Sequence, residues 1–239
     1  MQCAVRSDVG RVRAVNEDAT LVMPVGGVYA VADGMGGHNA GDVASRLAME
    51  SLRNRLRNRQ PGTQALQTAV QETNLVLTRR AQDDEACQGM GTTLTLLWAK
   101  GASALLAHVG DSRAYLYRAG VLTQLTQDHS MVAELQRQGV LTAQEARRHP
   151  YRNVITRALG TAGYVEADIL SLDLLPGDCV LLCSDGLTGM VDDERLCALL
   201  AREPLLEVAA DALLEAALTA GGRDNVSLLL LRYDGEVSA

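Results

Sequence analysis

A chain of 239 residues, 47% hydrophobic and 21% charged, is ordinary globular material, too apolar for disorder. At this length a domain buries roughly 70–75% of its unfolded surface, so it needs no disulfide or structural metal to fold. Its 22 basic and 29 acidic residues leave a formal charge of −7, which excludes the basic footprint of a general nucleic-acid binder and is compatible with a cation site.

Aromatic residues are only 3% of the chain and Phe is absent, so the core must be built from Leu, Val and Ala. In chain order, the first clear apolar run is Val28 to Ala32, bounded by glycines and Asp33, and it reads as a strand. Two helices are expected next. Over 41–59, Val43, Leu47, Leu52 and Leu56 make an apolar stripe with arginines opposite; over 62–82, Leu66, Ala69, Val70, Thr73 and Leu77 make a second. Gln60-Pro61-Gly62 separates them. Strands follow at Thr92 to Trp98, Ala104 to Val109 and Ala114 to Tyr117, then at 121–126 across a glycine-containing hairpin turn. After the apolar run from Cys179 to Cys183 comes a third helix over 204–220 and a final buried strand, NVSLLLL, over 225–231.

Strands and helices do not alternate strictly, which argues against a doubly wound parallel sheet. Hairpin-linked strands with paired helices imply an α+β fold: an antiparallel β-sandwich flanked on both faces by pairs of α-helices. No repeat or linker divides the chain, so residues 1–239 are expected to form a single domain. No apolar stretch approaches the ~18 residues of a membrane helix. The five cysteines form no CxxC pair, and charges fall where an export signal needs its apolar segment. A reducing, cytoplasmic setting is therefore expected.

The chemistry is carried by aspartates. Asp33, Asp111 and Asp185 each follow an apolar run, and Asp224 precedes one. If the last strand runs antiparallel to the other three, the four carboxylates gather at one edge of the sheets. Carboxylates so close raise one another's pKa, and a hard divalent cation relieves the repulsion. Oxygen ligands alone point to Mg²⁺ or Mn²⁺. Glycines beside Asp33 would let a backbone carbonyl approach such an ion. Arg13, five residues before Asp18, has the planar fork that binds phosphate oxygens in pairs.

With these residues in view, the chain resembles a bacterial member of the metal-dependent Ser/Thr protein phosphatase family, type 2C. The segments carrying the resemblance are SDVGRVRAVNED (7–18), VADGMGGHNAGDVAS (31–45), GMGTTL (89–94), HVGDSRAY (108–115), LTQDHSM (125–131), NVITRALG (153–160), LLCSDGL (181–187) and GGRDNVS (221–227). The resemblance implies a four-layer αββα sandwich with two Mn²⁺ or Mg²⁺ ions at one end. It implies that Asp33 bridges both ions, that the Gly34 carbonyl completes the second site, and that Asp185 and Asp224 bind the first. Asp111, with Asp185, matches the positions of a third, weaker ion. Glu17 and Asp18 would hold metal-bound waters, and Arg13 would clamp the substrate phosphate.

A mobile flap is implied over about 131–157, with Gly139 and ARRH at 146–149 suited to a solvent-facing loop. The implied reaction is hydrolysis of phosphoserine and phosphothreonine in proteins by a water bridging the two ions. The general acid is the open role. Eukaryotic relatives have His where Met35 stands, which leaves His38 or a metal-bound water. His108 and His129 are expected to orient nearby loops. The implied partners are phosphorylated proteins and a cognate Ser/Thr kinase, with no nucleic acid and no membrane, and the chain is expected to be a monomer. The rival reading is a catalytically silent metal-binding module that recognises phosphoproteins.

Overall fold

The computed structural model describes residues 1–37 and 40–235. In chain order it contains β1 (Gln2–Asp8), β2 (Asp18–Met23), β3 (Val28–Met35), α1 (Ala40–Leu56), α2 (Thr63–Asp83), β4 (Gly91–Thr92), β5 (Leu94–Lys100) and β6 (Ser103–Val109). There follow β7 (Arg113–Arg118), β8 (Val121–Gln124), α3 (Met131–Arg137), α4 (Ala143–Arg148), β9 (Asp168–Asp173) and β10 (Cys179–Cys183). The chain closes with α5 (Asp185–Thr188), α6 (Asp193–Arg202), α7 (Leu206–Thr219) and β11 (Val226–Arg232).

Every strand pairing is antiparallel. One sheet has the order β1-β11-β10-β7-β8 and the other β2-β3-β5-β6-β9, with β4 added beside β3. Side-chain alternation along the strands assigns the layers. Ala30 and Ala32 of β3 pack with Leu52, Leu56 and Leu66 of α1 and α2. Tyr29 and Val31, between and beside them, pack with Val180, Leu182 and Leu229 of the facing sheet. On that second sheet Leu181, Leu228 and Leu230 turn outward to Leu199, Leu213 and Ala217 of α6 and α7. The result is helix pair, sheet, sheet, helix pair, the expected four layers. Among the described residues no helix is long and apolar enough to cross a membrane.

The local chemistry explains the boundaries. α1 ends at Leu56, just before Asn58 turns left-handed (φ 60°), and α2 starts at Thr63 from an extended Gly62. The β7–β8 hairpin closes through Ala119 (φ 50°) and Gly120 (φ 84°), both left-handed as a two-residue turn requires. Asp192 caps α6 by accepting from the Arg195 N–H at 2.8 Å.

Two expectations change. Asp33 does not end its strand: β3 runs on through Gly34 and Met35, because β4 pairs with exactly those residues. The flap is not a plain loop either. It holds α3, capped by Ser130, and α4, started by a Thr142–Glu145 capping box. Its two ends are zipped together, with Ser130 bridged to Ile155 and the Thr156 N–H donating to the His129 carbonyl at 2.8 Å.

Candidate active site

Strand direction brings the acids together. Asp18 and Asp33 are directly opposed where β2 and β3 pair. Asp185 follows β10 and Asp224 precedes β11, and those strands are antiparallel neighbours, so both acids stand at one end of their sheet. Asp111 follows β6, the second strand from β3 in the other sheet. One rim of the sandwich thus collects carboxylates from both sheets.

The backbone around Asp33 is held tightly. Its N–H donates to Thr93 Oγ1 at 2.9 Å, and its carbonyl accepts from the Thr93 N–H at 2.9 Å and from Thr92 Oγ1 at 2.8 Å. Beside it, a Cβ on Gly34 would meet the Gly41 carbonyl oxygen at 2.0 Å and the Glu17 carbonyl oxygen at 2.6 Å. Only glycine fits between the start of α1 and the Glu17 loop, so its backbone alone faces that space.

The electrostatics are those of crowded acids with too little positive charge. Burial, then the charges of Asp18, Asp185, Asp111 and Asp224, push the Asp33 carboxyl well above the usual range. Burial, opposed by Ser184 and Ser227 and reinforced by Asp185 and Asp224, lifts Asp18 to about 7. Burial and then Asp185 lift Asp111 to about 8. Asp185 is raised by burial and by Asp224, and Glu17 is raised chiefly by burial. Asp18 is 9% exposed; its Oδ2 accepts from Ser184 Oγ at 2.7 Å, while Oδ1 is buried with no partner at all. A buried carboxylate oxygen left unpaired is costly, and a cation or its ordered water is the kind of partner that would satisfy it.

Among the described residues no three acidic, His or Cys side chains stand as a ready-made metal cage. One acid already has a cation of its own: Arg13 Nη2 lies 2.9 Å from Asp224 Oδ2. Asn225, next to Asp224, does the positioning. Its Oδ1 accepts from the Glu17 N–H at 2.8 Å, and its Nδ2 donates to the Val9 and Val15 carbonyls at 3.0 and 2.9 Å. It thereby straps the loop bearing Arg13 and Glu17 to the acid that starts β11.

The sequence reasoning did not single out Asn225. Its only signal was adjacency to Asp224 in GGRDN. The eight predicted site residues Arg13, Glu17, Asp18, Asp33, Gly34, Asp111, Asp185 and Asp224 all fall at this rim. His38 lies outside the described residues.

His108 and His129 are buried one layer away, their rings 4.9 Å apart. The Gly110 N–H donates to His129 Nδ1 at 3.0 Å, which puts the ring proton on Nε2, 3.1 Å from Asp168 Oδ2. The His129 N–H returns a bond to the Gly110 carbonyl at 2.7 Å. Gly110 (φ 109°) is the residue before Asp111, so His129 ties the base of the flap to the backbone that presents Asp111.

Beyond Asp111 and Asp185 opens a cavity of about 440 Å³ between the flap and the start of α6. Acids from two stacked antiparallel sheets thus meet at one rim between helix pairs, a set of hard oxygen donors suited to divalent cations. The chain belongs to the protein phosphatase 2C family, which it matches over residues 10–220. It is 39% identical over 253 residues to the serine/threonine phosphatase stp of Listeria monocytogenes, an alignment spanning 98% of this chain and 96% of that one. It is 42% identical over 233 residues to the serine/threonine protein phosphatase PstP of Mycobacterium tuberculosis, spanning 96% of this chain and 44% of that longer protein. The crystal structure of the PstP catalytic domain in complex with two manganese ions is similar at a TM-score of 0.87 and 39% identity, covering 96% of each chain.

Proposed function

We propose that this chain is a Mn²⁺- or Mg²⁺-dependent phosphatase that hydrolyses phosphoserine and phosphothreonine in proteins, a cytoplasmic monomer working against a Ser/Thr kinase. The observation that carries this reading is the rim itself: Asp18, Asp33, Asp111 and Asp185 crowded together with raised affinity for protons, one buried oxygen of Asp18 unpartnered. Such a group of hard oxygen donors fits divalent cations. The relative crystallised with two manganese ions supports the same fit.

Asp33, Asp185, Asp224 and the Gly34 carbonyl would hold two ions, and Asp111 with Asp185 a third. When bound, divalent ions at such a site supply a water of lowered pKa and neutralise charge on the phosphoryl group. The side chains do the rest. Glu17 and Asp18 would accept hydrogen bonds from ordered water and orient it. Arg13, half exposed, keeps donors beyond the one spent on Asp224 and would bind phosphate oxygens with them.

Among the described residues, the thiol and the hydroxyl that lead into Asp185 are poor nucleophiles. Burial pushes the Cys183 thiol up to about 12, and Ser184 Oγ is committed to Asp18. Water activated by the bound ions would be the attacking group, as the family resemblance implies. His38 or a metal-bound water would give the proton to the leaving alkoxide.

The test is turnover of p-nitrophenyl phosphate and of a phosphothreonine peptide, before and after exhaustive chelation and again with Mn²⁺ restored. Loss on chelation and recovery with Mn²⁺ are expected. Full activity without metal would refute the mechanism. Tight peptide binding with no turnover under any metal would instead establish the silent recognition module.

A further inference from the structure

We propose that the groove between the flap and the start of α6 seats the polypeptide flanking the phosphorylated residue, and that Asp193, with Asp192, selects a basic side chain there. This rests on the phosphatase reading above. The groove is continuous with the rim, since Asp111 and Asp185 form part of its lining. A substrate whose phosphate sits at the rim must send its neighbouring residues somewhere, and a cavity of about 440 Å³ leads directly away from it.

The charge of the groove is uneven. Among the described lining residues, Asp111 and Asp185 belong to the rim and would be taken up by cations, and Asp128 is taken up by Arg113, which leaves Asp192 and Asp193 against Arg152. Of the two arginines, Arg113 is already spent: it grips Asp128 through two parallel bonds, Nε to Oδ1 at 2.9 Å and Nη2 to Oδ2 at 2.7 Å. Arg152 belongs to the flap wall. The wall at the start of α6 is left with Asp192 and Asp193, and among the described residues neither is in an ion pair.

Asp193 is also held in place. Arg113 Nη1 donates to the hydroxyl of the fully buried Tyr115 at 3.1 Å, and that hydroxyl donates to Asp193 Oδ1 at 3.1 Å. The carboxylate is fixed from beneath by a chain of hydrogen bonds running from Asp128, and it stands half-buried where a cation would lose little entropy in meeting it. Asp192 presents a second carboxylate while capping α6. An extended peptide advances by about 3.3–3.6 Å per residue, so a lysine or arginine within about three positions of the phosphoresidue can reach this wall.

The experiment compares kcat/KM for three phosphothreonine peptides identical except for the residues within three positions of the phosphate, which are arginine, alanine or glutamate. Each rate is divided by the same protein's turnover of p-nitrophenyl phosphate with Mn²⁺. The wild-type protein is expected to favour the arginine peptide over the alanine one by about fivefold and to handle the glutamate peptide worst, with the ratios shrinking as salt rises.

In the double variant Asp192→Asn and Asp193→Asn the arginine-to-alanine ratio should fall to about one. Both changes keep the oxygen that caps α6 or accepts from Tyr115, and thermal melting checks the fold. Equal wild-type rates on all three peptides, a preference for glutamate through Arg152, or a ratio that survives in the double variant would each overturn the proposal. Should the double variant not fold, the salt dependence of the wild-type ratio decides the matter. No turnover of any substrate, p-nitrophenyl phosphate included, would refute the phosphatase reading, and this proposal would fall with it.

Discussion

In the middle of the sandwich Tyr29 and Val31 of β3 meet Val180 and Leu182 of β10 in a dry layer. Two residues further along the same strands stand Asp33 and Ser184, with Asp185 next. The backbone pairing is continuous across that change, but the side chains pass from mutual attraction to mutual repulsion. The middle is made of groups that lose nothing by burial. The rim is made of groups that burial and neighbouring charge push towards protonation. The difference teaches that the apolar layer holds the strands rigidly enough to keep the carboxylates crowded, and that crowding is what makes them avid for a cation.

The sharpest way to break the comparison is to remove a charge from the rim. Asp33→Asn should lower kcat by roughly 10³-fold, the effect of losing one element of charge stabilisation in the transition state. At pH 8.5 in chelator, where the rim is driven towards ionisation, the same variant should melt higher than the wild type, because an amide cannot ionise. A rate near that of the wild type would remove Asp33 from the site; a lower melting temperature would mean that the rim is not under repulsion.

The complementary change is made in the middle. Leu97 is fully buried between the sheets, and Leu97→Ala should cost about 3 kcal/mol in denaturant unfolding through lost burial and the cavity left behind. Activity per folded molecule should be nearly unchanged, since the rim keeps its own hydrogen bonds to Thr92, Thr93 and Ser184. A large loss of activity in the folded fraction would show that middle and rim are not separable.

The same division governs what could be read from the amino-acid order. The apolar stripes of α1, α2 and α7 and the buried run of β3 are local periodicities, and they were legible. So was the α6 signal, an Asp192 cap before Leu196, Leu199 and Leu200, although it was not read. Strand β9 is mostly exposed, with Ser and Asp between its apolar residues, and gave no strong pattern to find. Asp33 reads as a strand end because the apolar run stops at Ala32; only the distant β4 shows that the strand continues.

At the site, acids ahead of or behind apolar runs were visible as candidates. Their convergence depended on strand direction, which no local pattern states. The Arg13–Asp224 pair joins positions 211 apart and the Asn225 strap reaches as far, so neither had a local signature.

Titration sharpens the comparison with the smallest effect. Above about pH 7.5 the buried His108, held down to about 4 by burial, and His129, also lowered by burial, are neutral whether the chain is folded or not, so they add little slope of their own. Asp18 and Asp111 ionise near 7 and 8 in the folded chain, above the ordinary value of 3.8. A group whose pKa is raised by folding contributes stability that is fully present below its unfolded pKa and is lost as pH rises through the folded one. The metal-free protein should therefore melt at progressively lower temperature between about pH 7.5 and 8.5. Asp18→Asn combined with Asp111→Asn should flatten that slope. Saturating Mg²⁺ should flatten it too, because a bound cation favours the ionised carboxylates that crowding disfavours. A melting temperature that stays level or climbs across this range in chelator would mean that the rim carries no more strain than the apolar layer beneath it.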